Sequence, residues 1–161
     1  MNMTLPNFSQ TVRALSLSSA LALASMAALA QTAAVKVDDA WARATVPGQK
    51  GTGAFMSLTA REAMTLVGVS SPVAGVAEVH EMKMDGDIMK MRAMPILDLP
   101  AGKKVDLKPG GYHVMLMDLK QPLVKESTVA LTLRFKNANG VESRLELQVP
   151  VAAMSPGAHK H

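Results

Sequence analysis

The stretch Val129-Ala130-Leu131-Thr132-Leu133-Arg134-Phe135 decides the fold class, because apolar side chains recur at every second position along it. A strand turns successive side chains to opposite faces, so Val129, Leu131, Leu133 and Phe135 share one side, and Ala130, Thr132 and Arg134 the other. Such a strand is half-buried. Leu145-Glu146-Leu147-Gln148-Val149 repeats the pattern, and Asn139-Gly140 between the two suits a tight hairpin. Working outward, further strand candidates are Val35 to Arg43, Gly53 to Leu58, Met64 to Val69, Gly75 to Met82, Ile88 to Met94, Lys104 to Leu107 and Gly111 to Leu116. Turn signals separate them at Pro47-Gly48, Ser71-Pro72, Asp85-Gly86, Pro100-Ala101-Gly102, Pro109-Gly110-Gly111 and Gln121-Pro122. No segment sustains a helical period. The pattern predicts an all-β chain of about nine strands, arranged as an antiparallel Greek-key sandwich or small barrel.

Residues 1–30 read differently. Arg13 precedes an uncharged run from Ala14 to Ala30 that closes on Ala28-Leu29-Ala30, the pattern of a secretory leader cut before Gln31. No comparable apolar run follows, so no membrane span is expected in the exported protein. Residues 31–151 read as one β-domain with a single core. From 152 to 161 the chain turns small and polar around Pro156-Gly157, which predicts a flexible tail.

The composition removes several function classes. The chain has no cysteine, which excludes a blue-copper centre, thiol redox chemistry, a cysteine nucleophile and a lipid on an N-terminal cysteine. A net charge of +4 is mild, and beyond the leader only Trp41, Phe55, Tyr112 and Phe135 offer rings for stacking on bases, so nucleic acid is not an expected partner. There is no nucleophile elbow, phosphate loop or zinc-hydrolase motif, and Glu78 and Glu81 near His80 read as a solvated strand face. No catalysis is assigned.

What stands out is sulfur and imidazole. Met82, Met84, Met89, Met91 and Met94 crowd one predicted hairpin beside His80, while Met115 and Met117 follow His113 in another strand. Residues two apart on a strand point to one face about 6.6 Å apart, so His113 and Met115 share a face, as do His80 and Met82. A site drawing on both segments would offer thioether and imidazole donors and nothing hard. That set suits Cu(I) better than calcium, magnesium or zinc. Methionine also fills irregular cores, and Met56, Met64 and Met94 read that way. For Met82, Met84, Met89 and Met117 two readings stay open: groups behind or beside a metal site, or an exposed apolar rim for docking.

The order His80, ten residues, Met91, twenty-one residues, His113, one residue, Met115 is similar to the signature of the periplasmic PCu(A)C copper chaperones. Asp39-Ala40-Trp41-Ala42-Arg43-Ala44, Ser70-Ser71-Pro72-Val73-Ala74-Gly75 and Leu107-Lys108-Pro109-Gly110-Gly111-Tyr112-His113-Val114-Met115-Leu116 resemble that family too. The resemblance implies a cupredoxin-like β-sandwich that binds Cu(I) through His80, Met91, His113 and Met115. It implies delivery toward the binuclear copper centre of cytochrome c oxidase, with the copper-bearing oxidase subunit and Sco-type thiol proteins as partners. Some members carry a C-terminal extension for a second copper, as Cu(II). Met154, His159 and His161 are either a short version of it or an idle ending. Two rival classes remain beside the chaperone: a periplasmic copper storage or resistance protein that delivers to nobody, and an Ig-like interaction domain without metal.

Overall fold

The computed structural model describes residues 34–153. The leader and the tail residues Met154, His159 and His161 lie outside them. Ten strands run in chain order: β1 (Val35–Arg43), β2 (Gly51–Ala60), β3 (Met64–Ser70), β4 (Ala74–Asp85), β5 (Ile88–Ala93), β6 (Leu97–Leu99), β7 (Lys104–Leu107), β8 (Tyr112–Leu119), β9 (Thr128–Asn137) and β10 (Glu142–Ala152). No helix occurs among the described residues.

The strands pair in the order β5-β4-β8-β7-β2-β1-β10-β9-β3-β6, with an additional β8–β2 pairing, and the two end strands do not close a barrel. The fold is an all-β sandwich. Hairpins β1–β2, β4–β5 and β9–β10 are antiparallel. Two contacts depart from the antiparallel expectation: Ala42 and Arg43 of β1 run parallel to Val151 and Ala152 of β10, and Leu107 of β7 pairs parallel with Tyr112 of β8. The β1–β10 contact joins β5-β4-β8-β7-β2-β1 to β10-β9-β3-β6.

The alternation read from the sequence accounts for the core. On β9, Val129, Leu131, Leu133 and Phe135 are buried, and they face Leu66, Leu97, Leu99 and Val149 in one cluster with Leu58, Val79, Val114 and Leu116 of the opposite layer. Each such side chain contributes about 1.5–3 kcal/mol by leaving water, and in a chain without cysteine this packing takes the place of disulfides. Met56 and Met64 are buried in this core and Met94 packs against it, as expected of filler methionines.

Strand β6 was not anticipated from the sequence. Leu97-Asp98-Leu99 is three residues long between Pro95 and Pro100, too short to show a period, yet it buries both leucines against Met64 and Leu66 of β3.

The part that positions the site is the far end of β4. Pairing between β4 and β8 stops at Glu81 opposite Tyr112, while β4 continues to Asp85 and turns into β5. Gly86 has φ +64° at the first turn position, the type II′ geometry that a two-residue hairpin of right-handed twist requires. The β4–β5 hairpin therefore runs on past the core, and β5 is an edge strand exposed along its whole length.

Candidate metal centre

Register brings the two imidazoles together. His80 of β4 is the direct cross-strand partner of His113 on β8, and their ring centroids are 6.0 Å apart. Glu78 faces Met115 one step along the same ladder, and Met82 faces Met91 across the β4–β5 hairpin. Directly paired residues project on the same side of a sheet. Glu78, His80, Met82, Met91, His113 and Met115 thus share the face turned away from the hydrophobic core.

Met91, His113 and Met115 line one cleft of about 490 Å³, together with Met82 and Met89. His80 does not line it; its side chain adjoins the cleft through His113. The structure thus gathers three of the four expected groups in one opening and holds the fourth beside it. Met84 borders a neighbouring depression shared with Met91. Met117 lies on the same strand face but further along β8, opposite Val76 and outside the cleft.

Glycine makes the room. Gly51 and Gly53 of β2 sit opposite Met117 and Met115 of β8, and both line the cleft. A Cβ at Gly51 would lie 3.2 Å from the Met115 methyl carbon, so the missing side chain is the bed of that thioether. Over Gly53 lies the Phe55 ring, which stacks on Trp41 at 4.7 Å and stands 6.3 Å from the His113 ring. One wall of the site is therefore aromatic and rigid.

Both imidazoles have one nitrogen committed and one free. Gly111 carbonyl oxygen lies 3.1 Å from His113 Nδ1, and a carbonyl only accepts, so Nδ1 carries the proton and Nε2 keeps its lone pair. The same carbonyl accepts the Met82 backbone N–H. It is presented by a type II turn, with Pro109 and Gly110 (φ +84°) at its centre and the Gly111 N–H closing onto Lys108 carbonyl. On His80, Nε2 lies 3.1 Å from a Glu78 carboxylate oxygen and donates to it, which leaves Nδ1 as the acceptor. That Nδ1 is buried and has no partner among the described residues. An orphaned buried nitrogen is costly unless something binds it. Imidazoles oriented by a carboxylate or carbonyl at one nitrogen, and bare at the other, are the usual arrangement of histidine metal ligands.

Burial pushes the His113 imidazole below its usual range, partly offset by the Gly111 carbonyl, with the neighbouring His80 lowering it further. The ring is thereby kept neutral, the form that can ligate.

The donor set is soft. Among the described residues no carboxylate lines the cleft and the one charged residue that does is Arg43, whose guanidinium stands 5.5 Å from the Phe55 ring centre. Among the described residues no three His, Asp or Glu side chains converge on a point. A hard divalent cation would find no oxygen cage and an opposing charge; neutral thioethers and imidazoles favour a soft monovalent ion.

The sequence alone reads Glu78 and Glu81 as a solvated strand face; the structure separates them. Glu81 is held by Arg92 across the hairpin at 2.7 Å, on the opposite face from the site. Glu78 instead reaches His80. The signal was available, since Glu78 stands two residues before His80 and shares its strand face. The Gly51 and Gly53 bed and the Gly111 carbonyl were not legible, because they depend on which strands become neighbours.

A family model described as "Putative lipoprotein LpqE-like" matches residues 35–151. The chain belongs to this LpqE-like family. A protein of Leifsonia xyli subsp. xyli, named "Putative lipoprotein Lxx21020", is 32% identical over 132 residues, spanning 81% of this LpqE-like chain and 76% of its own. The solution structure of the Cu(I) form of DR1885 from Deinococcus radiodurans matches with TM-score 0.60 and 32% identity, over 77% of this chain and 82% of its own. The copper-bound PCuAC domain from PmoF2 matches with TM-score 0.60 over 76% of this chain and 95% of its own; at 22% identity that likeness concerns the fold. The LpqE-like chain thus has PCuAC domains as structural neighbours, in agreement with the family resemblance read from its sequence.

Proposed function

We propose that this LpqE-like protein is a copper chaperone that binds one Cu(I) ion through His80, Met91, His113 and Met115 and hands it on. The observation that carries the reading is the pair of cross-strand imidazoles, each hydrogen-bonded at one nitrogen and bare at the other, with His113 lining a cleft beside Met91 and Met115 and His80 adjoining it. Similarity to a protein solved with Cu(I) bound supports the choice of metal. Neutral thioethers stabilise the reduced ion without adding charges that would resist its loss. A partner's thiolates or imidazoles can then replace them one at a time. The acceptor we propose is the binuclear copper centre of cytochrome c oxidase, reached through its copper-bearing subunit in company with Sco-type thiol proteins.

Export fits both the leader-like residues 1–30 and the lipoprotein description of the family and of the Leifsonia xyli relative. The 161 residues contain no thiol to which a lipid could be attached. A second copper, as Cu(II), at Met154, His159 and His161 belongs to the same proposal and concerns the tail alone.

Anaerobic Cu(I) titration against a chromogenic chelator tests the site. We expect the His113→Ala protein to bind more than 100-fold more weakly, beyond the roughly 10–100-fold range of groups that only support a ligand. Unchanged affinity would remove His113 from the site. Delivery is tested in cells grown at low copper: loss of the protein lowers oxidase activity if it delivers, and leaves it unchanged if it only stores.

A further inference from the structure

The β4–β5 hairpin is two-faced beyond what the core needs. On one side stand Glu81, Lys83, Asp85, Lys90 and Arg92, with Lys90 paired to Asp85 and Arg92 to Glu81. On the other side, Met82 pairs with Met91 and Met84 with Met89, two successive rungs made of nothing but thioethers. These methionines are not filler. Met84, Met89 and Met91 are 54%, 53% and 48% exposed, whereas the core methionines Met56 and Met64 are 2% and 6% exposed. Exposed apolar side chains on an edge hairpin invite aggregation and call for a function.

We infer that Met84 and Met89, the outer rung, form an entry site for a Cu(I) ion distinct from the one at the His and Met centre. The inner rung of Met82 and Met91 is the step between the two. The inference rests on the copper reading above but not on its four ligands. Cross-strand Cβ atoms are about 4.5–5.5 Å apart and successive same-face positions about 6.6 Å apart. The three rotatable bonds of methionine let two facing sulfurs converge on one ion between them. The Met84–Met89 rung is followed by the Met82–Met91 rung on the same ladder, and Met82, Met89 and Met91 line the principal cleft with His113 and Met115, so the thioether face runs from the outer rung into the cleft; Met84 also borders a second depression, lined besides Met91 by Lys83, Asp85, Lys90 and Arg92. Movement inward is ligand exchange at constant charge: a bond to the Met91 sulfur forms as the bond to Met84 or Met89 breaks. No electron or proton is transferred. The order of sites also sets a direction, because the outer rung has thioethers alone and the inner centre adds two imidazoles.

The experiment uses the full-length protein labelled with 13C at the methionine ε-methyl groups and titrated anaerobically with Cu(I) supplied as its acetonitrile complex. The first equivalent is expected to shift the Met91 and Met115 methyls, and the second to shift those of Met84 and Met89. A Met84→Leu, Met89→Leu double variant, which keeps side-chain volume, takes up one equivalent fewer while the first equivalent still shifts Met91 and Met115. Met84 and Met89 methyls that stay in place through the second equivalent overturn the entry site, as does a second equivalent that shifts Met154 alone. Shifts at Met84 and Met89 without shifts at Met91 and Met115 overturn both the four-ligand centre and entry through Met91, leaving a Cu(I) site on the outer rung alone.

Discussion

Removing the Glu78 carboxylate isolates the contribution of a residue that touches no metal in the proposed site. Its oxygen lies 3.1 Å from His80 Nε2, and this contact assigns the ring proton to Nε2 and the free lone pair to the buried Nδ1. The Glu78 side chain is 47% exposed and that of His80 12%. As a partly solvated pair it is worth at most about 0–1 kcal/mol to folding, so Glu78→Ala leaves the melting temperature of the copper-free protein nearly unchanged. Binding responds differently. Without the carboxylate the His80 ring loses its fixed tautomer and orientation. Partners of this type support metal affinity by about 10–100-fold, equivalent to roughly 1.4–2.8 kcal/mol. Glu78→Gln keeps an acceptor oxygen at the same reach and should recover most of that loss.

Competition with a chromogenic Cu(I) chelator measures all three proteins. 15N spectra of the imidazoles report whether Nδ1 or Nε2 of His80 is protonated. The reasoning is refuted if Glu78→Ala binds within about threefold of the parent, or if Glu78→Gln is as weak as Glu78→Ala.

Two other outcomes follow from the same geometry. Because burial depresses the His113 imidazole in the folded protein, the unfolded chain binds more protons than the native one between that lowered value and the ordinary value of about 6.5. Copper-free stability should therefore fall as pH drops from about 6.5 through this window, and thermal melts of a His113→Gln variant should fall less; equal slopes would contradict it. Gly110→Ala places a side chain at φ +84° with nothing within 4 Å of its Cβ, so its cost is purely backbone, about 1–2 kcal/mol. Gly102→Ala, at φ +68° and equally unobstructed, should cost the same in a denaturant titration. Only Gly110→Ala, which disturbs the turn presenting the Gly111 carbonyl to His113, should also weaken Cu(I) binding.

The sequence made legible much of what depends on one strand at a time. The bounds of Val35–Arg43 and Lys104–Leu107 are as expected, although the first strand breaks its pairing register between Asp38 and Trp41, and Met56 and Met64 are buried as the scarcity of aromatic core residues suggested. What depends on two strands was not legible. Nothing near residue 80 says that it will lie opposite residue 113: the clustering of sulfur and imidazole suggested a site drawing on both segments, and the choice of His80, Met91, His113 and Met115 as its ligands came from family resemblance. The parallel β1–β10 contact, which joins residues over a hundred positions apart, has no local signature either. Tertiary pairing also explains why β6 escaped notice: three residues become a strand only because β3 supplies partners for them.

Where the candidate ligands sit bears on how an ion is held and released. His113 is 4% exposed, on a strand hydrogen-bonded to β4, β2 and β7, against the aromatic wall of Phe55 and Trp41. Met91 is 48% exposed on β5, whose only sheet partner among the described residues is β4. One side of the centre therefore belongs to the packed body of the sandwich and is set by folding. The other belongs to a hairpin that buries little, and whose position costs little to change. An ion binding both sides ties the hairpin to the body. A competing ligand needs only to displace the Met91 thioether, with no loss of core packing, to begin drawing the ion away. A site made entirely from buried strands would bind without this route to release; one made entirely from the hairpin would have no preformed imidazole.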